Sequence, residues 1–78
     1  MNMPNVTATL QEHGITHKLI APHVVRIHWL VDGSSQPVID YDAKFNFTRL
    51  IGRFEQMTGK DKGMLKNVVN RLKMANTH

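Results

Sequence analysis

Eight side chains in the C-terminal half, Arg49, Arg53, Lys60, Lys62, Lys66, Asn70, Arg71 and Lys73, recur at spacings that set them along helical faces. Arg49, Arg53, Gln56 and Lys60 fall at i, i+4, i+7 and i+11; Lys62, Lys66, Asn70 and Lys73 make a second row, joined by Asn67 and Arg71. The chemistry on offer is binding rather than bond-making. Lys and Arg neutralise phosphates and release counterions, while Asn and Arg also reach base edges or backbone carbonyls. Two helices side by side would join the rows into one basic, amide-rich surface for nucleic acid, a nucleoprotein complex or a protein partner. Long cationic chains also solvate amphipathic helices, but a merely solvating face usually mixes signs, and acidic residues are scarce here.

Other residue groupings promise less. His13 and His17 have the spacing that puts two imidazoles on one helix face, but Gly14 between them ends a helix. His28 shares a strand face with Arg26, which repels a cation, and no Cys or dense carboxylate cluster completes a metal site. Asp40 and Asp42 project from one strand face, roughly 6.5–7 Å apart, without the cleft or third partner that acid–base work requires. They either solvate that face or oppose Arg26 across a hairpin. Gly33-Ser34-Ser35 lacks the strand–turn–helix setting of a nucleophile elbow, and Gly59 to Gly63 fits no phosphate-loop pattern. The expectation is a non-enzymatic protein with no metal and no cofactor. Trp29 reads as core; on an open face it would join Tyr41 as an aromatic platform for a base or a partner side chain.

The charge is unevenly placed. Residues 1–43 carry two basic side chains (Lys18, Arg26) against four acidic ones, net −2, whereas residues 44–78 carry eight basic against two acidic, net +6, together the +4 of the chain. Such asymmetry points the C-terminal half at something acidic. With 78 residues the chain is expected to be one compact domain over 1–78, burying roughly 60% of its unfolded surface. A second copy would bury more, so a homodimer is a natural partner. The absence of cysteine excludes disulfides and thiolate zinc. No basic-then-apolar leader opens the chain and no apolar run reaches the roughly 20 residues of a bilayer span, so a cytoplasmic protein with no membrane partner is expected.

The elements that would position these residues follow from periodicity. Asn5 is placed to cap a short N-terminal helix ending at Gly14; the competing reading makes Val6, Ala8 and Leu10 a strand face, and the Leu-Gln-Glu-His-Gly ending favours the helix. Thr16 to Ile20 reads as a short strand closed by Ala21-Pro22. Val24 to Val31 alternates as a strand with Val25, Ile27, Trp29 and Val31 inward. Asp32-Gly33-Ser34-Ser35 turns the chain, and Val38 to Asp42 returns with Ile39 and Tyr41 inward and Val38 outward. Phe47, Leu50, Ile51, Phe54 and Met57 then make one helical stripe, with Asn46 as its cap and Gly59 as its end. Leu65, Val68, Val69, Leu72 and Ala75 make the next, capped by Asp61.

The fold class expected is α+β: a small antiparallel sheet around the hairpin at about 24–42, packed by two antiparallel C-terminal helices. A strand followed by two helices is similar in order to the ribbon–helix–helix DNA-binding dimers, but the outward face of Val38–Asp42 is acidic where that role needs a basic strand. In general layout the chain also resembles some small phage-encoded anti-CRISPR proteins, on the Val38-Ile39-Asp40-Tyr41-Asp42 strand leading into a helix. That resemblance implies an inhibitor, carried by a mobile element, that binds a host protein complex through the hairpin and its acidic edge. The basic charge departs from the acidic balance of many such inhibitors. The first reading is therefore a regulatory or accessory protein docking a basic helical face on nucleic acid or a nucleoprotein complex.

Overall fold

In the computed structural model, which describes residues 1–77, the chain runs through α1 (Met3–Glu12), β1 (His17–Ala21), β2 (Val24–Val31), β3 (Ser34–Asp42), β4 (Phe47–Leu50) and α2 (Gly59–Asn76), with one 3₁₀ turn over Phe54–Gln56. The strands form one antiparallel sheet in the order β1-β2-β3-β4. The architecture is the expected α+β, but its helices flank the strands in sequence, one at each end.

The hairpin forms where its turn chemistry puts it. Asp32 and Gly33 both take positive φ, +52° and +82°, a two-residue turn whose twist matches that of paired strands. Val31 consequently pairs with Ser34, and both serines belong to β3 rather than to the turn. Val25, Ile27 and Val31 are buried, facing Tyr41, Ile39 and Ser34. Val38, expected outward, is fully buried. The register slips between Ile27 and His28, and this bulge lets the consecutive Val38 and Ile39 both reach the core.

The helix expected over 46–57 does not form. Asp42 instead closes a turn, its Oδ1 accepting from the Lys44 and Phe45 amides at 2.9 and 3.1 Å. Asn46 sits in the left-handed region at φ +52° and accepts from the Tyr41 hydroxyl at 2.7 Å, so it turns the chain rather than capping a helix. Phe47–Leu50 then pairs along β3, with Asp40 opposite Arg49 and Ile39 opposite Leu50. Gly52 carries φ +51°, and a Cβ there would overlap the Pro37 carbonyl oxygen, which accepts from the Arg53 amide at 3.2 Å. The chain at 51–53 is thus folded back against β3, and a helix could not be.

The terminal helices share one face of the sheet. The Asn2 side chain, not that of Asn5, caps α1, accepting from the Asn5 amide, and Pro4 occupies the first turn where its missing N–H costs nothing. Gly14 ends α1, the Ile15 amide reaching back to Leu10 at 3.0 Å. Thr58 caps α2 by accepting from the amide of Asp61, whose carboxylate falls in the first turn; Gly59 therefore begins this helix instead of ending another. Leu65, Val68, Val69 and Leu72 from α2 and Met3, Val6 and Leu10 from α1 meet the inward residues of β2 and β3 in one core. Asn76, the buried polar side chain of α2, donates to the Ala43 carbonyl at 2.8 Å and accepts from the Asn2 amide at 2.9 Å. One side chain thus ties both ends of the chain to the β3–β4 turn.

Candidate nucleic-acid interface on the C-terminal helix

With Leu65, Val68, Val69, Leu72 and Asn76 committed to the core, the helical period fixes what α2 shows to solvent. Its outer arc carries Lys60, Lys62, Lys66, Arg71 and Lys73 together with Asn67 and Asn70. The one carboxylate of α2, Asp61, stands in the first turn on the flank beside β2. Lys60, Lys66 and Arg71 are exposed and Lys62 and Lys73 half-buried. Lys62, Lys66 and Lys73 lie toward β4 and Lys60 and Arg71 on the opposite flank, and no carboxylate of the helix stands among the five. Of them Lys62 alone is engaged among the described residues, with its Nζ 3.9 Å from Glu55 and 5.1 Å from the centre of the Phe54 ring.

The structure brings six of the eight predicted binding residues together: Lys60, Lys62, Lys66, Asn70, Arg71 and Lys73. The other two lie elsewhere, because the helix meant to carry them is a strand and a turn. Arg49 projects from β4 on the sheet face opposite the helices, beside Asp40. Arg53 follows Gly52 at one end of the sheet, its Nη2 3.0 Å from Asp32 at the hairpin turn.

Two grooves flank α2. On the β4 side, a groove of about 440 Å³ has Ile39, Leu50, Phe54, Leu65 and Val69 as its floor and Lys62, Lys66, Asn70 and Lys73 along its rim. On the β2 side, a groove of about 640 Å³ runs past Trp29, Met64, Asp61 and His13. Trp29 is half-buried, packed against the core yet open to this groove. Tyr41 is fully buried, so the aromatic platform expected of the pair reduces to Trp29 alone.

The uncovered sheet face arranges its charge differently. Lys18, Arg26, Asp40 and Arg49 are cross-strand neighbours in one row over all four strands. Asp40 takes the Arg26 guanidinium with both oxygens at 2.9 and 3.0 Å, and this hydrogen-bonded pair raises the Arg26 pKa still further above its usual value. Asp42 faces His23 at 3.8 Å while capping its turn. Both carboxylates thus have structural partners, and β3, being interior to the sheet, offers no acidic edge. Among the described residues no three His, Asp or Glu side chains gather as metal ligands; the His13 and His17 rings each bond a nearby carbonyl, those of Thr9 and Ile15, at 2.8 Å. No described helix is long and apolar enough to cross a membrane.

Sequence reasoning missed both grooves. Trp29 as the lone tryptophan was a signal for one of them, but its exposure depends on where α2 begins. Comparison with protein-family models, curated proteins and solved structures finds no match for this chain.

Proposed function

We propose that this chain is a non-enzymatic binding protein that docks the outer face of α2 on nucleic acid, alone or within a nucleoprotein complex. The observation that carries this reading is the outer arc of α2, with three exposed and two half-buried cations, two exposed amides and no carboxylate. Over Lys60 to Lys73 the helix rises about 20 Å, enough to follow several phosphates of one strand. The test is binding to a labelled oligonucleotide between about 50 and 200 mM salt. If all five cations meet phosphates of a single strand, log K falls with log salt at a slope of about −3.5, a loss of roughly a hundredfold over that range. Lys66→Gln with Arg71→Gln, both at exposed positions, should bring the slope to about −2 and leave the fold intact. An absence of binding at the lower salt, or an unchanged slope in the double variant, rejects the reading.

One observation favours a second reading, that of a protein-binding inhibitor of the kind mobile elements carry. The groove beside edge strand β4 has an apolar floor, and Leu50 within it stays 54% exposed. Leu50→Asp should abolish capture of a host complex while sparing oligonucleotide binding; the reverse outcome removes this alternative.

A further inference from the structure

Resting on the nucleic-acid reading of α2, we propose that the groove between β2 and α2 receives an unstacked base against Trp29, so that the bound form is single-stranded. The groove exists for a local reason. Trp29 stands on the helix-facing side of β2 near the hairpin end, where its cross-strand partner is Gln36 and the next inward residue of β3 is the small Ser34. Above it α2 is only starting, and α1 has already stopped at Gly14. The indole is therefore packed against the core and also lines the open groove.

The surroundings suit a base with its phosphates outside. The groove, about 640 Å³, is within the range of small-ligand sites and far exceeds a single base, leaving room for the sugar. Met64, on its wall, belongs to the helical row Lys60, Met64, Asn67, Arg71, at i, i+4, i+7 and i+11. A strand following that row sets phosphates beside Lys60 and Arg71 and carries a base past Met64 toward Trp29. The Asp61 carboxylate on the groove wall turns the phosphates outward and accepts hydrogen bonds from base amino groups. Bases of an intact duplex are stacked and paired, and could reach the indole only by being flipped out.

The test uses Trp29 as its own reporter, since it is the only tryptophan. A single-stranded oligonucleotide carrying an end label is titrated at low salt, with label anisotropy and tryptophan emission read in parallel. The proposal expects quenching with the same midpoint as the anisotropy, weaker binding of the matching duplex, and a loss of roughly 5- to 150-fold in Trp29→Leu. Trp29→Phe, which keeps an aromatic face, should retain most of the affinity; if the leucine variant fails to fold, the quenching and the duplex comparison on the parent protein decide the matter. Anisotropy that rises without quenching, a duplex bound as tightly as the single strand, or a folded Trp29→Leu variant that binds as the parent does, overturns the base site and leaves the α2 reading standing. No anisotropy change at all overturns the α2 reading, and the base site with it.

Discussion

Replacing Asn76 with alanine should be among the most damaging changes available outside the apolar core. Asn76 is 8% exposed in the last turn of α2 and makes two bonds to distant backbone, donating to Ala43 at 2.8 Å and accepting from Asn2 at 2.9 Å. The partners differ in what they lose. Ala43 is buried and its carbonyl would face an apolar gap, a cost of about 1–3 kcal/mol. The Asn2 amide lies nearer the surface, where water replaces the acceptor, and its loss costs about 0.5–1.5 kcal/mol. Together these make about 2–4 kcal/mol, a large part of the stability of a domain this size. Since each kcal/mol moves the midpoint of such a domain by about 4–8 °C, Tm should fall by roughly 10–25 °C.

Urea unfolding followed by Trp29 emission and by circular dichroism measures this directly, and an unchanged m value shows that the same transition is being read. Hydrogen exchange locates it: α1 amides should lose protection before those of β2 and β3, because the bond to Asn2 anchors the start of α1. Asn76→Asp is the complementary change. It keeps the shape and the acceptor for Asn2 but sets a carboxylate oxygen against the Ala43 carbonyl, so it should cost at least as much at neutral pH and less on acidification. An Asn76→Ala variant within about 0.5 kcal/mol of the parent, a size ordinary for surface changes, would refute the idea that this side chain holds both chain ends to the β3–β4 turn.

Two further stability predictions come from backbone and burial. Gly52→Ala should cost more than Gly33→Ala in urea midpoint: both sit at positive φ, but only at Gly52 does the new Cβ meet the Pro37 carbonyl, while at Gly33 nothing lies within 4 Å. The Tyr41 phenol is held above its ordinary pKa of 10.0 chiefly by burial, with Asn76 opposing and Asp42 adding to the shift. Its folded pKa exceeds its unfolded one, so the contribution is complete below pH 10.0 and is lost as pH rises through the folded value. Tyr41→Phe should flatten that alkaline loss, and the phenolate absorbance of the only tyrosine, read against pH, should rise late in the folded protein.

The hairpin and the last helix were legible because two signals agreed in each. Val24–Val31 alternates with period two and ends in Asp32-Gly33. Leu65, Val68, Val69 and Leu72 repeat with the helical period behind an acidic residue suited to a helix start, although the cap is Thr58 and not the expected Asp61. At 46–57 the signals disagreed, and the apolar period misled. Phe47, Leu50, Ile51, Phe54 and Met57 are spaced as a helix, yet Phe47 and Leu50 end 56% and 54% exposed on a strand and only Met57 is buried. What decided the matter is long-range. β3 needed a partner on its free edge, and Asp42 with Asn46 supplied a turn back to it. The candidate site inherits the same division. The cations of α2 were readable from its helix, while Arg49 and Arg53 were assigned to a surface that rested on the wrong element.

How the rest of the molecule treats its cations is the stronger reason to read the α2 face as functional. Arg26 is forked by Asp40, Arg53 reaches Asp32, and Arg49 stands next to Asp40 across the strand pair. These three arginines thus have acid beside them. Among the described residues, by contrast, Lys60, Lys66, Arg71 and Lys73 of α2 pair with no carboxylate and only Lys62 reaches one, Glu55 at 3.9 Å. Lys62 and Lys66 are like charges at i and i+4, an arrangement that costs a helix about 0.2–0.5 kcal/mol, and the only carboxylate of the helix is set on the flank with Trp29. A solvating face gains nothing from that repulsion, whereas a face that meets a polyanion recovers it with each counterion released. The same arrangement would account for the position of Asp61: within a strand-binding surface, the single place where negative charge does no harm is where the base goes and the phosphate stays out.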